Sequence, residues 1–342
     1  MSESRTRDED EFVVTAVLAG DHAAFGELAD RYRKQLHVHC YRMLGSMDDA
    51  EDLVQDTFLR AWHKRDTFQR RSTFRAWLYR IATNACLDFL DRRQRQPVPF
   101  DPAPATDASS SPSEVPWLQP VPDRLLDGAV AEQAEPHTAV IAKETIELAF
   151  LTAIQHLAPK QRAVLVLRDV LGWPAKDAAE LLETSLASVN SALQRARLAL
   201  KEHLPERRSE WAPGTDPNEA ERALLARYMD AHERIDLAAI TELLREEARL
   251  TMPPDPAYYV GRDTIAAFAG QMLGGGQFGT FRLVPTRANR QPAAAKYNRM
   301  PGESVYRAQS LDVLRIEDGL VAEITTFLPE VFPTFGLPAT LA

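Results

Sequence analysis

Apolar residues recur at three- and four-residue intervals over the first two-thirds of this chain, and alternate one-by-one in much of the last third. The first pattern predicts helices over Phe12–Ala19 and Ala23–Arg42, the latter with Phe25, Leu28, Ala29, Tyr32 and Leu36 inward and Gly45 closing the run. A helix over Asp49–His63 turns Ala50, Leu53, Val54, Phe58, Ala61 and Trp62 inward. Its successor, Thr73–Arg93, buries Phe74, Leu78, Ile81, Ala85 and Phe89 and turns Arg80, Thr83, Asn84, Leu87 and Asp91 outward. Further on, helices are expected over Ala139–His156, from Pro159, and from Pro174 to about Glu183. Ser185 is a good N-cap for a last helix with the stripe Leu186, Val189, Leu193, Ala196 and Leu200. Beyond it, Glu219–His232, Leu237–Leu244 and Thr264–Leu273 read as helices. Ala248–Met252, Phe281–Thr286, Ala293–Tyr297, Ser304–Ile316 and Leu320–Phe327 read as strands, Pro253–Asp263 as a loop, and Glu317-Asp318-Gly319 as a hairpin turn.

The polar positions add chemistry to two of these helices. Opposite its buried stripe, Asp49–His63 carries Asp49, Asp52, Gln55 and Asp56, then Leu59. A leucine on an acidic face is not explained by the same core, and suits a basic partner with an apolar notch. Bases follow at once: Lys64, Arg65, Arg70, Arg71, Arg75, Arg80, Arg92, Arg93 and Arg95, with the loop Phe68-Gln69-Arg70-Arg71-Ser72 among them. A solvated hairpin of mixed charge is the plainer account of this segregation. Near the other end of the helical part, a short helix, a tight turn and a longer polar-faced helix make a helix-turn-helix pattern, which many helical hairpins imitate. Its outward face holds Ala187, Ser188, Asn190, Ser191, Gln194, Arg195 and Arg197.

The net charge of −9 argues against a chain coated in nucleic acid, but its bases are segregated, and distribution matters more than the sum. Cys40 and Cys86 are the two cysteines; without a clustered histidine pair they make no zinc site, and they are expected as reduced thiols. His37 and His39 lie two apart on a helix and point in different directions. The charged start is not a signal peptide, and no apolar run reaches the roughly 18 residues of a membrane span, so a cytosolic protein is expected. Residues 1–11 are expected to be disordered. The segment 96–137 is rich in proline and acid, a linker that cannot bury a core of its own, yet VPWLQPVPDRLLD within it offers Trp117, Leu118, Leu125 and Leu126 as anchors.

The stretch DAEDLVQDTFLRAW followed by TFRAWLYRIATNACLDFLDRR resembles region 2 of a bacterial RNA polymerase sigma factor of the extracytoplasmic-function type. In that family the acidic helix docks on the clamp helices of the largest polymerase subunit. The resemblance gives this role to Asp49, Asp52, Gln55, Asp56 and Leu59. The following loop and helix hold the melted minus-ten strand, here Gln69, Arg70, Arg71, Ser72, Thr73, Arg80 and Asn84. The helix-turn-helix resembles sigma region 4, which reads the minus-thirty-five duplex. Ser185, Ala187, Ser188, Asn190, Ser191, Gln194, Arg195 and Arg197 would do so here, although many members are more basic at Asn190 and Ala192. The family's linker threads the polymerase channel, where an acidic segment mimics nucleic acid. The last third, with YVGRDTIAAF and the tail FLPEVFPTFGLP, resembles the SnoaL-like, NTF2-like cone of a fused sigma subgroup.

The resemblance implies a multidomain chain: an all-α region 2 over 12–95, a linker over 96–137, an all-α region 4 over 138–205, a linker over 206–217 and an α+β cone over 218–342. It implies core RNA polymerase and promoter DNA as partners, with no cofactor, no metal and no membrane. The cone would offer a pocket lined by Tyr228, Met252, Tyr258, Tyr259, Phe268 and Met272 for an unidentified small ligand, and would regulate the other domains rather than catalyse. Asp230, His232 and Asp255 are the candidates for proton transfer, and none has a matching partner motif. Two rivals stay open: a helix-turn-helix regulator that works without polymerase, which would not need the acidic face, and a cyclase-like enzyme, which a buried carboxylate in the cone would favour. Promoter sequence, inducing signal, any anti-sigma factor and oligomeric state are not legible.

Overall fold

The computed structural model describes residues 12–70, 72–95, 117–127, 146–203, 219–273 and 279–342. Arg71, residues 1–11, Gly274–Gly276 and the predicted helical turns over residues 139–145 lie outside them. The chain divides into two compact units, one of residues 1–98, 125–145 and 149–209, the other of residues 99–124, 146–148 and 210–342.

The first unit is helical. Residues 12–18 form α1, followed by α2 (His22–Leu44), α3 (Met47–His63) and α4 (Phe74–Arg95). Asp21 caps α2 by accepting from the Ala23 and Ala24 amides at 2.8 and 3.1 Å. Gly45, left-handed at φ 72°, ends it by donating to the Tyr41 carbonyl, and Ser46 caps α3 through the Asp49 amide. Leu53, Val54, Phe58, Leu78, Tyr79, Ala82 and Leu90 are buried among these helices. The α4 stripe is shifted from the expected one. Ile81 and Phe89 are half-buried, whereas Thr83, expected outside, is fully buried, donating to the Tyr79 carbonyl at 2.7 Å and meeting His39 at 2.9 Å. A threonine whose hydroxyl finds a partner four residues back can face a core as easily as solvent.

The second helical set comprises α5 (Leu148–Gln155), α6 (Pro159–Leu165), which runs into a π-turn at Val166–Val170, α7 (Ala175–Leu181) and α8 (Leu186–His203). Val189, Leu193, Ala196 and Leu200 are buried as expected, but Leu186 is 50% exposed because it stands at the first turn, where the stripe overruns the packing. Arg162 joins the two sets. It is 3% exposed and donates to the carbonyls of Gln155, Leu157 and Met43 and to Gln155 Oε1. Gln155 Nε2 in turn reaches the Arg42 carbonyl at 3.4 Å. The last carbonyls of α2, which have no partner within their own helix, are thus met by α5 and α6 side chains.

The second unit contains α9 (Glu219–Glu233), α10 (Leu237–Glu242), α11 (Arg262–Leu273) and the strands β1 (Leu244–Met252), β2 (Asp255–Val260), β3 (Thr280–Ala288), β4 (Gln291–Arg299), β5 (Tyr306–Glu317), β6 (Leu320–Phe327) and β7 (Thr340–Leu341). The sheet order is β2-β1-β6-β5-β4-β3, with β7 on β5. Only the β1–β6 pairing is parallel among the described strands. The stretch expected as a loop after Met252 is instead strand β2, returning along β1; Pro253 and Pro254 sit at the hairpin turn and Pro256 within the strand, which masks the pattern of Tyr258, Tyr259 and Val260. Two further hairpins turn through paired left-handed residues, Asn289-Arg290 and Asp318-Gly319, the geometry that matches strand twist.

Part of the proline-rich segment packs on this sheet. Asn289, fully buried at the β3–β4 turn, donates its amide to the Val121 carbonyl and accepts the Val121 amide on Oδ1, both at 2.9 Å. Its Nδ2 donates to the Ile146 carbonyl at 2.8 Å. Asp123 pairs with Arg287 at 2.8 Å and accepts from the Arg290 amide at 2.7 Å. Leu118 and Val121 are buried. A segment without a core of its own has borrowed one.

Replacing Arg162 by leucine keeps the volume but strands several buried carbonyls, which cost about 1–3 kcal/mol each when unpaired. Urea unfolding followed by helical circular dichroism should show a loss of about 3 kcal/mol; an unchanged midpoint would contradict this account of the contact.

Candidate polymerase and promoter interfaces

On α3, Asp52, Gln55 and Leu59 face solvent, and Leu59 is 60% exposed. Asp56 is half-occupied by Arg60 at 2.7 Å. Asp49 is half-buried and pairs with Arg93 at 3.2 Å, bracing α3 against the end of α4. Of the five predicted face residues, Asp52, Gln55 and Leu59 are thus exposed, while Asp49 and Asp56 are engaged in ion pairs.

The α3–α4 loop is pinned from inside by aromatic contacts: Phe68 lies 5.5 Å from Phe74 and 5.4 Å from Trp77, centroid to centroid. Gln69, Arg70, Ser72 and Thr73 are exposed around this anchor. Arg70 is left-handed and reaches Thr15 at 2.8 Å, and Thr73 caps α4 through the Ala76 amide at 3.1 Å. Further along α4, Arg80 pairs with Glu183 at 2.7 Å, and one turn beyond it Asn84 is exposed.

Along α8, Ser185, Ala187, Ser188, Asn190, Ser191, Gln194, Arg195 and Arg197 are all exposed. Ser185 caps the helix through the Ser188 amide at 3.1 Å, so the polar side chains project from a fixed start. Arg197 is held bidentately by Asp169 at 2.8 and 2.7 Å. Beside it runs a groove of about 560 Å³ lined by Arg168, Asn190, Leu193, Gln194, Arg197, Leu198 and Lys201. Sequence reasoning missed Arg168, Leu198 and Lys201. The latter two continue the face of Asn190, Gln194 and Arg197 at helical spacing and could have been found; Arg168 arrives from the π-turn and could not.

The Sigma-70 region 2 family model matches residues 28–96 and the Sigma-70 region 4 model residues 147–200. The ECF RNA polymerase sigma factor SigG of Mycobacterium tuberculosis is 42% identical over 327 residues, covering 94% of this chain and 85% of the relative. The chain belongs to the ECF RNA polymerase sigma factors. It therefore binds core RNA polymerase and directs promoter-specific initiation. SigW of Bacillus subtilis is 29% identical, over 56% of this chain and 94% of its own. The crystal structure of Mycobacterium tuberculosis SigJ aligns over 92% of this chain and 99% of that one with a TM-score of 0.59 at 25% identity. A SnoaL-like domain model matches residues 225–324, in the third part of this sigma factor.

In that domain the predicted proton-transfer set does not assemble. Asp230 is an exposed partner of Arg234 at 2.7 Å, and Asp255 is exposed on β2. His232 is buried beside a carboxylate that pattern reading overlooked, Asp312, 1% exposed on β5. Lys296 Nζ lies 2.8 Å from Asp312, and the Tyr228 and Thr326 hydroxyls each donate to it at 2.9 Å. Burial pushes the Asp312 carboxyl up, but the Lys296 ammonium, with His232 and Thr326, outweighs it and leaves the group below its usual value. A carboxylate held ionised by an ammonium and two hydroxyls is a poor proton acceptor. Tyr228 is a fully buried residue whose hydroxyl is spent on Asp312. Met252, Tyr259 and Phe268 pack partly buried on the same core, with the Tyr259 and Phe268 rings stacked 4.4 Å apart, and Tyr258 and Met272 are half-buried. Among the described residues no group of His, Cys, Asp and Glu could hold a metal ion, and no helix is long and apolar enough to cross a membrane.

His232 Nδ1 lies 2.8 Å from the Tyr228 carbonyl. Because a carbonyl can only accept, Nδ1 carries the proton. Burial, then the Lys296 ammonium, pushes its pKa down to about 3, although Asp312 and the Tyr228 carbonyl act the other way. The unfolded chain consequently binds more protons between about pH 6.5 and 3, and stability must fall as pH falls through that window, by up to about 1.4 kcal/mol per unit. Hydrogen exchange of the β5 amides, corrected for intrinsic rates, should show this loss from about pH 6.5 to 4.5, and His232→Gln should flatten it. An equally steep dependence in the variant would assign the effect elsewhere.

Proposed function

We propose that the exposed face of α3 is the dock for the clamp helices of the largest polymerase subunit. The observation that carries it is Leu59, 60% exposed on a helix whose other large apolar residues pack inward, and flanked by Asp52 and Asp56. An apolar knob between carboxylates suits a basic surface with a notch, and a stand-alone repressor has no use for it. Gln69, Arg70, Arg71, Ser72, Thr73, Arg80 and Asn84 hold the melted minus-ten strand, the arginines acting on phosphates and Asn84 and Ser72 on bases. Asn190, Gln194 and Arg195, on the exposed face of α8, read the minus-thirty-five duplex in the major groove, with Ser185, Ala187, Ser188, Ser191 and Arg197 around them. The double change Asp52→Ala with Leu59→Ala alters only exposed positions. It should weaken core binding at least tenfold, about 1.4 kcal/mol, with helicity unchanged. Unaltered affinity in a titration against core polymerase would remove α3 from the interface.

The SnoaL-like domain regulates initiation in cis by holding the linker between regions 2 and 4. Asn289 supports this reading, since one side chain bonds the linker at Val121 and the chain beyond it at Ile146. Held there, the segment is withdrawn from the polymerase channel. Asn289→Gly removes the side chain but keeps the left-handed turn accessible. It should raise promoter-directed transcription at equal protein concentration by about fivefold or more, the effect of losing roughly 1 kcal/mol of buried hydrogen bonding. Equal output from variant and parent with a promoter library would end this reading.

A further inference from the structure

Arg80 is assigned above to a DNA phosphate, yet in this structure it is engaged. Its guanidinium lies 2.7 Å from Glu183 Oε1, a residue 103 positions away in the turn between α7 and α8. Three features give the contact direction. Glu183 adopts φ 51°, a left-handed conformation that costs an ordinary L-residue on the order of 1 kcal/mol and that glycine or asparagine would take more readily. The carboxylate is kept there despite that cost, and it projects into solvent, 71% exposed, except where it meets Arg80. One residue before Arg80, the Tyr79 ring lies 5.5 Å from that of Trp173, and α4 packs against α6 and α7. The pair therefore sits at the edge of a packed contact between the two helical sets and is not an isolated meeting of long side chains. The turn also carries Ser185, the cap of α8, so the carboxylate that engages Arg80 is set at the start of the recognition helix.

We propose that this sigma factor masks its own minus-ten surface with its own helix-turn-helix, Glu183 occupying Arg80 in the place of a DNA phosphate. The proposal rests on the reading of Arg80 as a strand contact. A carboxylate and a phosphate oxygen compete for the same guanidinium, and the carboxylate repels the backbone of an arriving strand. An exposed pair is worth only about 0.2–1 kcal/mol. The mask is accordingly weak, enough to lower idle DNA binding by the free protein and small beside the free energy of polymerase engagement.

The test measures binding of the full chain, without polymerase, to a fluorescent single-stranded oligonucleotide pool of random sequence at several salt concentrations. Glu183→Gln should tighten binding about two- to fivefold, the range an exposed ion pair supports. Arg80→Ala should weaken it and reduce the salt slope by about 0.7, the share of one phosphate on a single strand. In the Arg80→Ala background, Glu183→Gln should have no further effect. If Glu183→Gln is silent, or acts equally with and without Arg80, the mask is refuted while the Arg80 slope still upholds the strand contact. If Arg80→Ala changes neither affinity nor slope in either background, the strand contact falls and the mask falls with it.

Discussion

The helical unit depends on one buried cation. Arg162 is withdrawn from water, and burial pushes its pKa down to about 10, yet it stays charged near neutrality because every nearby acceptor is a carbonyl or amide oxygen. Its partners include the C-terminal end of α2, where unpaired carbonyls concentrate negative charge. The contact therefore satisfies a helix terminus and a guanidinium together. It also sets α6 against α2 and α4, and so decides which face of the helix-turn-helix meets region 2. The pairing of Arg80 with Glu183 and the approach of Trp173 to Tyr79 are consequences of that placement.

A similar economy governs the linker. Proline removes amide donors and disfavours helix, so the segment around Val121 arrives extended with few hydrogen bonds of its own. Asn289 completes them. Its left-handed turn exposes a backbone amide, and its side chain offers a matched acceptor and donor, so a hairpin tip becomes a reader of backbone on two stretches of chain. Within the same sheet, the buried Asp312 with Lys296, Tyr228 and Thr326 ties α9 to β4, β5 and β6. An ionised group at the centre of a small core is tolerated only when fully partnered. That completeness is why a buried carboxylate here speaks for structure and not for the enzyme that such a group, read alone, would favour.

By itself the sequence determined the helices of region 2 and the helix-turn-helix of region 4, the acidic face with Leu59, the polar face of α8, and strand β6 to the residue. These follow from periodicity and capping, which act over three to five neighbouring positions and need no knowledge of distant partners. The long motifs carried the family, because a partner surface constrains many residue types at once. What only the tertiary structure decided lies wherever two distant segments meet. Thr83 went inside because His39 was there to receive it, and β2 formed because β1 offered an edge that outweighed Pro256. Arg80 acquired a carboxylate from 103 residues away, and Asp312, alternating in a strand like any polar residue, met a lysine, a tyrosine and a threonine from three different elements. Local propensity is a matter of fractions of a kcal/mol per residue, while a buried charge costs several unless it is paired. Such partners are therefore settled by packing, on which the order of residues along the chain gives no local signal.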